Sequence, residues 1–124
     1  MAIKRILHVD DDPDIRSIVQ FSLGSIGGFE VQSCESGASA LKVVEAFNPD
    51  IFLLDLMMPE MDGEQLFAEL RKSSTTRKTP VIFLTAQALE ESRSRLLALG
   101  ALEVIHKPFD PMELPDLIRG LANG

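Results

Sequence analysis

Six side chains capable of joint chemistry stand at or just after the ends of short apolar runs. Asp10, Asp11 and Asp12 follow one run, Asp55 closes another, Thr85 a third, and Lys107 comes shortly after a fourth. If they converge, the carboxylates repel one another and tend to hold protons unless a cation joins them. Lys107 supplies one positive charge, and a divalent metal with oxygen ligands matches the negative charge that remains. Magnesium takes one or two carboxylates and keeps several waters, which leaves positions for phosphoryl oxygens. A carboxylate beside a metal, a lysine and a hydroxyl is the set needed to receive a phosphoryl group. Asp55 would be the nucleophile of an acyl phosphate, with the metal, Lys107 and Thr85 stabilising charge on the transferred oxygens.

Whether these groups meet depends on the elements that carry them. Apolar runs at Ile3 to Val9, Phe29 to Ser33, Ile51 to Leu54, Val81 to Leu84 and Leu102 to Ile105 alternate with five amphipathic stretches. The first, third and fourth are nearly continuous in Ile, Leu, Val and Phe, as strands covered on both faces are. Ile15, Ile18, Val19, Leu23 and Ile26 follow helical spacing, as do Leu41, Val44 and Phe47 more loosely. Leu66 with Leu70, then Leu89, Leu96 and Leu97, mark two further helices.

The punctuation agrees with this division. Asp12-Pro13 reads as an N-cap and first helical residue. Gly27-Gly28, Asn48-Pro49 and Gly100 read as helix ends. Asp110-Pro111-Met112-Glu113 resembles a capping box, and Pro115 one turn later predicts a short or irregular last helix. Strict βα alternation predicts a doubly wound parallel sheet, (βα)5, with helices on both faces. In the flavodoxin-like order 2-1-3-4-5 strands one and three are neighbours, so Asp10, Asp11 and Asp55 converge at the switch point. The order 3-2-1-4-5 would separate them, and no glycine-rich phosphate loop follows the first strand to favour it.

Composition bounds the function classes. The 124 residues fit a single domain spanning 1–124. Lys plus Arg is 12 and Asp plus Glu 19, a net charge of −7, so nucleic acid and anionic membrane are poor partners for the surface as a whole. A single cysteine, Cys34, cannot form an internal disulfide, no apolar run approaches a membrane span, and the N-terminus is not a signal peptide. A cytoplasmic setting is the expectation.

Four segments together resemble the receiver domain of two-component response regulators. They are Val9-Asp10-Asp11-Asp12, Leu54 to Gly63 (LDLMMPEMDG), Leu84-Thr85-Ala86 and His106-Lys107-Pro108-Phe109. The resemblance runs over essentially the whole chain, in order. It implies a phosphorylatable Asp55 and a Mg2+ site at Asp11, Asp55 and the backbone carbonyl of Met57, with Asp10 contributing through a bound water. It also implies that Thr85 follows the phosphoryl group, that Lys107 contacts it, and that the Lys107-Pro108 bond is cis. The implied donor is a phosphohistidine on a sensor histidine kinase or a phosphotransfer protein, and the implied reader is a downstream protein target. In this family many members carry Tyr or Phe three residues before the lysine, where this chain has Val104. Met57 and Gln87 occupy the positions that tune acyl-phosphate hydrolysis.

Plainer readings exist for several of these residues. Asp10 and Asp11 could serve only the helix start, Thr85 could be an ordinary strand residue, and Lys107 could be solvated. Asp62-Gly63 reads as turn chemistry. His8 and His106 lack ligand spacing and read as structural, as does Cys34. Two other functions remain open. One is a haloacid-dehalogenase-type phosphatase using Asp10, although Asp14 stands where that motif wants Thr or Val. The other is a receiver-like scaffold that works without phosphorylation.

Overall fold

The computed structural model describes residues 3–86 and 90–123. Five parallel strands form one sheet in the order β2-β1-β3-β4-β5. They are β1 (Arg5–Val9), β2 (Glu30–Cys34), β3 (Ile51–Asp55), β4 (Val81–Thr85) and β5 (Glu103–His106). Each is followed by a helix: α1 (Pro13–Val19), α2 (Gly37–Phe47), α3 (Gly63–Lys72), α4 (Glu90–Ala98) and α5 (Leu114–Asn123). This is the doubly wound flavodoxin-like sheet that the alternation predicts. Leu89, expected on the fourth helix, lies outside the described residues.

The apolar runs are continuous because both faces of the central strands are covered. Every residue of β3 and β4 is buried, and β1 is buried from Ile6 onward. Leu7, Val9, Phe52, Leu54 and Phe83 face a layer supplied by Val44, Leu66, Leu70 and Leu96. Ile6, Ile51, Leu53 and Leu84, alternate residues of the same pleats, face Val19, Leu23, Leu114 and Ile118. Each fully buried side chain of this kind contributes roughly 1.5–3 kcal/mol relative to exposure, so the sheet is a rigid support for whatever its ends carry.

Two expectations are corrected. The first crossover is not one amphipathic α-helix: α1 passes at Gln20 into a π-helical segment, Gln20–Ile26. Its wider i→i+5 turn shifts later residues off the helical stripe. Val19 and Leu23 are fully buried, while Ile26, and Ile18 at the stripe's edge, are exposed. The last helix is not shortened by Pro115. Residues 111–113 are turns and α5 begins only at Leu114, so Pro115 sits in the first turn, where its missing N–H costs no helical bond. Ten regular residues follow from that start.

Candidate functional site

The strand register brings the acidic residues together. Val9 of β1 pairs with Leu54 of β3, so one residue further on Asp10 and Asp55 stand side by side. One carboxylate oxygen each from Asp10, Asp11 and Asp55 lies within 4.8 Å of the others. Lys107, one residue beyond β5, reaches across the sheet end: its Nζ is 2.8 Å from Asp10 Oδ2 and 3.3 Å from Asp55 Oδ1. Thr85 ends β4 opposite His106, is fully buried, and its carbonyl accepts from the Lys107 amide at 2.8 Å. The Lys107-Pro108 peptide is cis, as the resemblance implies.

The loop after β1 is shaped by its own side chains. Asp12 caps α1, its carboxylate accepting from the Asp14 amide, and Pro13 fills the first helical position. The Asp12 amide donates to Asp10 Oδ1 at 2.9 Å. The Asp10 carboxylate is therefore engaged at both oxygens and has no exposed surface. Asp11 is exposed, and no hydrogen bond to its carboxylate occurs among the described residues.

The loop after β3 is held by α3. Asp62 and Gln65 form a reciprocal capping box, with bonds of 2.8 and 2.9 Å. The Gly63 amide donates to the Leu56 carbonyl at 3.0 Å. A Cβ on Gly63 would stand 2.3 Å from the Asp55 carbonyl oxygen, so only glycine allows this approach. Asp62-Gly63 is thus more than a turn, because it fixes the backbone that presents Asp55. The Met57 amide reaches back to Asp55 Oδ1 at 3.4 Å, and the Met57 side chain is exposed. Gln87 lies outside the described residues.

Electrostatics at this edge are strained. Burial, then the neighbouring Asp10 charge, push the Asp55 carboxyl up to about 6 against the opposing pull of Lys107. Burial works against the Lys107 ammonium, yet its bonds and proximity to Asp10 and Asp55 outweigh that and raise its pKa. One ammonium is shared between the Asp10 and Asp55 carboxylates, with that of Asp11 beside them. A hard divalent cation suits such a donor set, since all the groups are oxygens and one of them, Asp11, is open to solvent. An Asp10 with no exposed surface and both oxygens occupied is poorly placed to attack a phosphomonoester, as the phosphatase reading would require.

The remaining candidates fall away from the site chemistry. His106 is exposed, and Cys34 is buried, with burial pushing its thiol pKa up. His8 is fully buried, neither ring nitrogen has a hydrogen-bond partner among the described residues, and burial with the Lys107 and Arg16 charges lowers its pKa to about 3. Val104 pairs with Phe83 and packs half-buried on the core, with no ring to rotate. Arg16, which no side-chain motif marks, also reaches the site: its Nη1 donates to the Asp10 carbonyl at 2.8 Å. The available signal was its position one turn into the helix that Asp12-Pro13 opens.

The sequence profile of the response regulator receiver domain family matches residues 6–119. The chain belongs to that family. Similar proteins include the phosphate regulon transcriptional regulatory protein PhoB of Escherichia coli, 41% identical over 118 residues, which are 95% of this chain and 51% of PhoB. The regulatory protein AtoC of Escherichia coli is 40% identical over 113 residues, 91% of this chain and 24% of AtoC. This receiver domain thus spans about half or less of the length of those curated relatives. Among solved structures, the Vibrio cholerae chemotaxis protein CheY4 superposes with a TM-score of 0.88 at 30% identity, covering 97% of this chain and 99% of that one. A receiver domain of two-component signalling is therefore the frame for this site. Among the described residues no helix is long and apolar enough to cross a membrane.

Proposed function

We propose that this receiver domain accepts a phosphoryl group on Asp55, with Mg2+ held by Asp11, Asp55 and the Met57 carbonyl and with Asp10 acting through a water. The observation that carries the reading is the convergence of three carboxylates, two of them paired with a single ammonium, with the Asp55 carboxyl pushed up to about 6. When bound, the divalent cation supplies charge neutralisation for the transferred oxygens. Asp55 attacks phosphorus, the bond from phosphorus to the donor's histidine nitrogen breaks, and an acyl phosphate forms. The freed imidazole keeps the electron pair and then takes a proton from solvent. Lys107, already 3.3 Å from Asp55 Oδ1, holds a positive charge against the incoming oxygens, and the Thr85 hydroxyl supplies a hydrogen bond to them.

The donor in this reading is a phosphohistidine on a sensor histidine kinase or phosphotransfer protein. The reader is a protein rather than nucleic acid, in keeping with the net charge of −7. With Val104 in the fifth strand, the change passes to the surface through the Thr85 and Lys107 backbones, which are bonded to each other. Incubation with Mg2+ and a small acyl-phosphate donor, read by intact mass, tests the assignment. One phosphoryl adduct is expected, absent without Mg2+ and absent in Asp55→Ala. An adduct that survives in that variant would move the nucleophile elsewhere, and none on folded wild-type protein, with a kinase donor also tried, would favour a scaffold that works without phosphorylation.

A further inference from the structure

Asp11 is the proposed ligand with the least support of its own. It is exposed, and no bond to its carboxylate exists among the described residues, whereas Asp10 is fixed at both oxygens and Asp55 lies within a strand. What holds Asp11 is its backbone on either side. The Asp10 amide donates to the Cys34 carbonyl at 3.0 Å, and the Asp10 carbonyl, which begins the peptide leading into Asp11, accepts from Arg16 Nη1 at 2.8 Å. The Arg16 amide donates to the Asp12 carbonyl at 3.0 Å, two residues further on. One residue thus clasps the loop on both sides of Asp11, by its side chain before and by its backbone after.

We propose that Arg16 is a positioning residue for the cation site, holding the peptide between Asp10 and Asp11 so that the Asp11 carboxylate meets those of Asp10 and Asp55. This rests on the metal reading given above. Groups that orient metal ligands through a hydrogen bond commonly change affinity ten- to a hundredfold. The sign separates positioning from charge. An arginine acting only as a nearby cation repels Mg2+, so removing it would tighten binding, whereas losing the clasp weakens it.

The test is Mg2+ titration of the full chain by calorimetry, with 15N amide shifts of Asp11 and Asp12 and metal-free thermal midpoints recorded alongside. Arg16→Met is expected to weaken Mg2+ about tenfold and to move the Asp11 amide in metal-free protein. Arg16→Lys, which keeps the charge and one possible donor, is expected to recover part of the affinity, and it also serves should the methionine variant fold poorly. Unchanged or tighter binding in folded Arg16→Met would overturn the proposal while leaving the metal site standing, provided that Asp11→Ala abolishes binding. A wild-type chain that binds no Mg2+ at millimolar concentration would overturn the metal reading and the clasp with it.

Discussion

The two ends of the same sheet treat charge in opposite ways. At the end where the strands begin, Asp50 accepts from the backbone amides of Lys4 and Arg5, both at 2.9 Å. Arg5 pairs with Glu30 at 3.4 Å and donates to the Phe47 carbonyl. Each carboxylate there has its own donors and faces water. At the end where the strands finish, three carboxylates crowd together, and the two that are buried share Lys107. The same scaffold satisfies its acidic groups at one end and crowds them at the other, where the cation site is proposed. Stability given up at a site for the sake of function is a common pattern.

The contrast can be tested by removing the cation at each end. Lys107→Met leaves two buried carboxylates without their partner and is expected to destabilise the metal-free protein by about 3 kcal/mol at pH 7 in urea unfolding. Arg5→Met, at the solvated end, is expected to cost less than about 1 kcal/mol. Equal losses would dissolve the distinction.

A pH series sharpens it further. The Asp55 carboxyl rises from 3.8 to about 6 on folding, so the folded protein holds its proton more tightly than the unfolded chain does. Its contribution to metal-free stability is therefore complete below about pH 4 and lost as pH climbs through 6, a fall of about 3 kcal/mol. Asp55→Asn is expected to remove that slope. Mg2+ binding should run the other way and weaken below about pH 6, where the proton competes for the same oxygen.

The solvated end offers a second, modest effect. Asp50→Ala strips an acceptor from two amides and is expected to cost about 1 kcal/mol, with Mg2+ affinity unchanged.

Much of this difference is visible in the sequence because strand ends are. A residue after a buried parallel strand has one place to go, so Asp10, Asp55, Thr85 and Lys107 could be assigned to one edge, and the strand order followed from requiring Asp10 to meet Asp55. Asp12-Pro13 and Asp62-Gly63 carry local signals with local consequences, and both start helices. The rest depends on tertiary partners. The π-helical turn at Gln20 obeys the same apolar spacing as an α-helix until its hydrogen bonds are seen. Pro115 is harmless only because α5 starts four residues after Asp110. Arg16 acts through a backbone carbonyl, which no side-chain motif records.

On the proposed reading, the charge that destabilises the crowded end is the charge that binds the cation. The most direct test is the unfolding free energy of wild type and Asp55→Asn at pH 7, each with and without Mg2+. Wild type is expected to gain about 1.4 kcal/mol at tenfold the dissociation constant. Asp55→Asn is expected to start more stable by about 3 kcal/mol, the charge penalty removed, and to gain almost nothing from Mg2+. A wild type indifferent to Mg2+, or a neutralised variant less stable than its parent, would contradict the account.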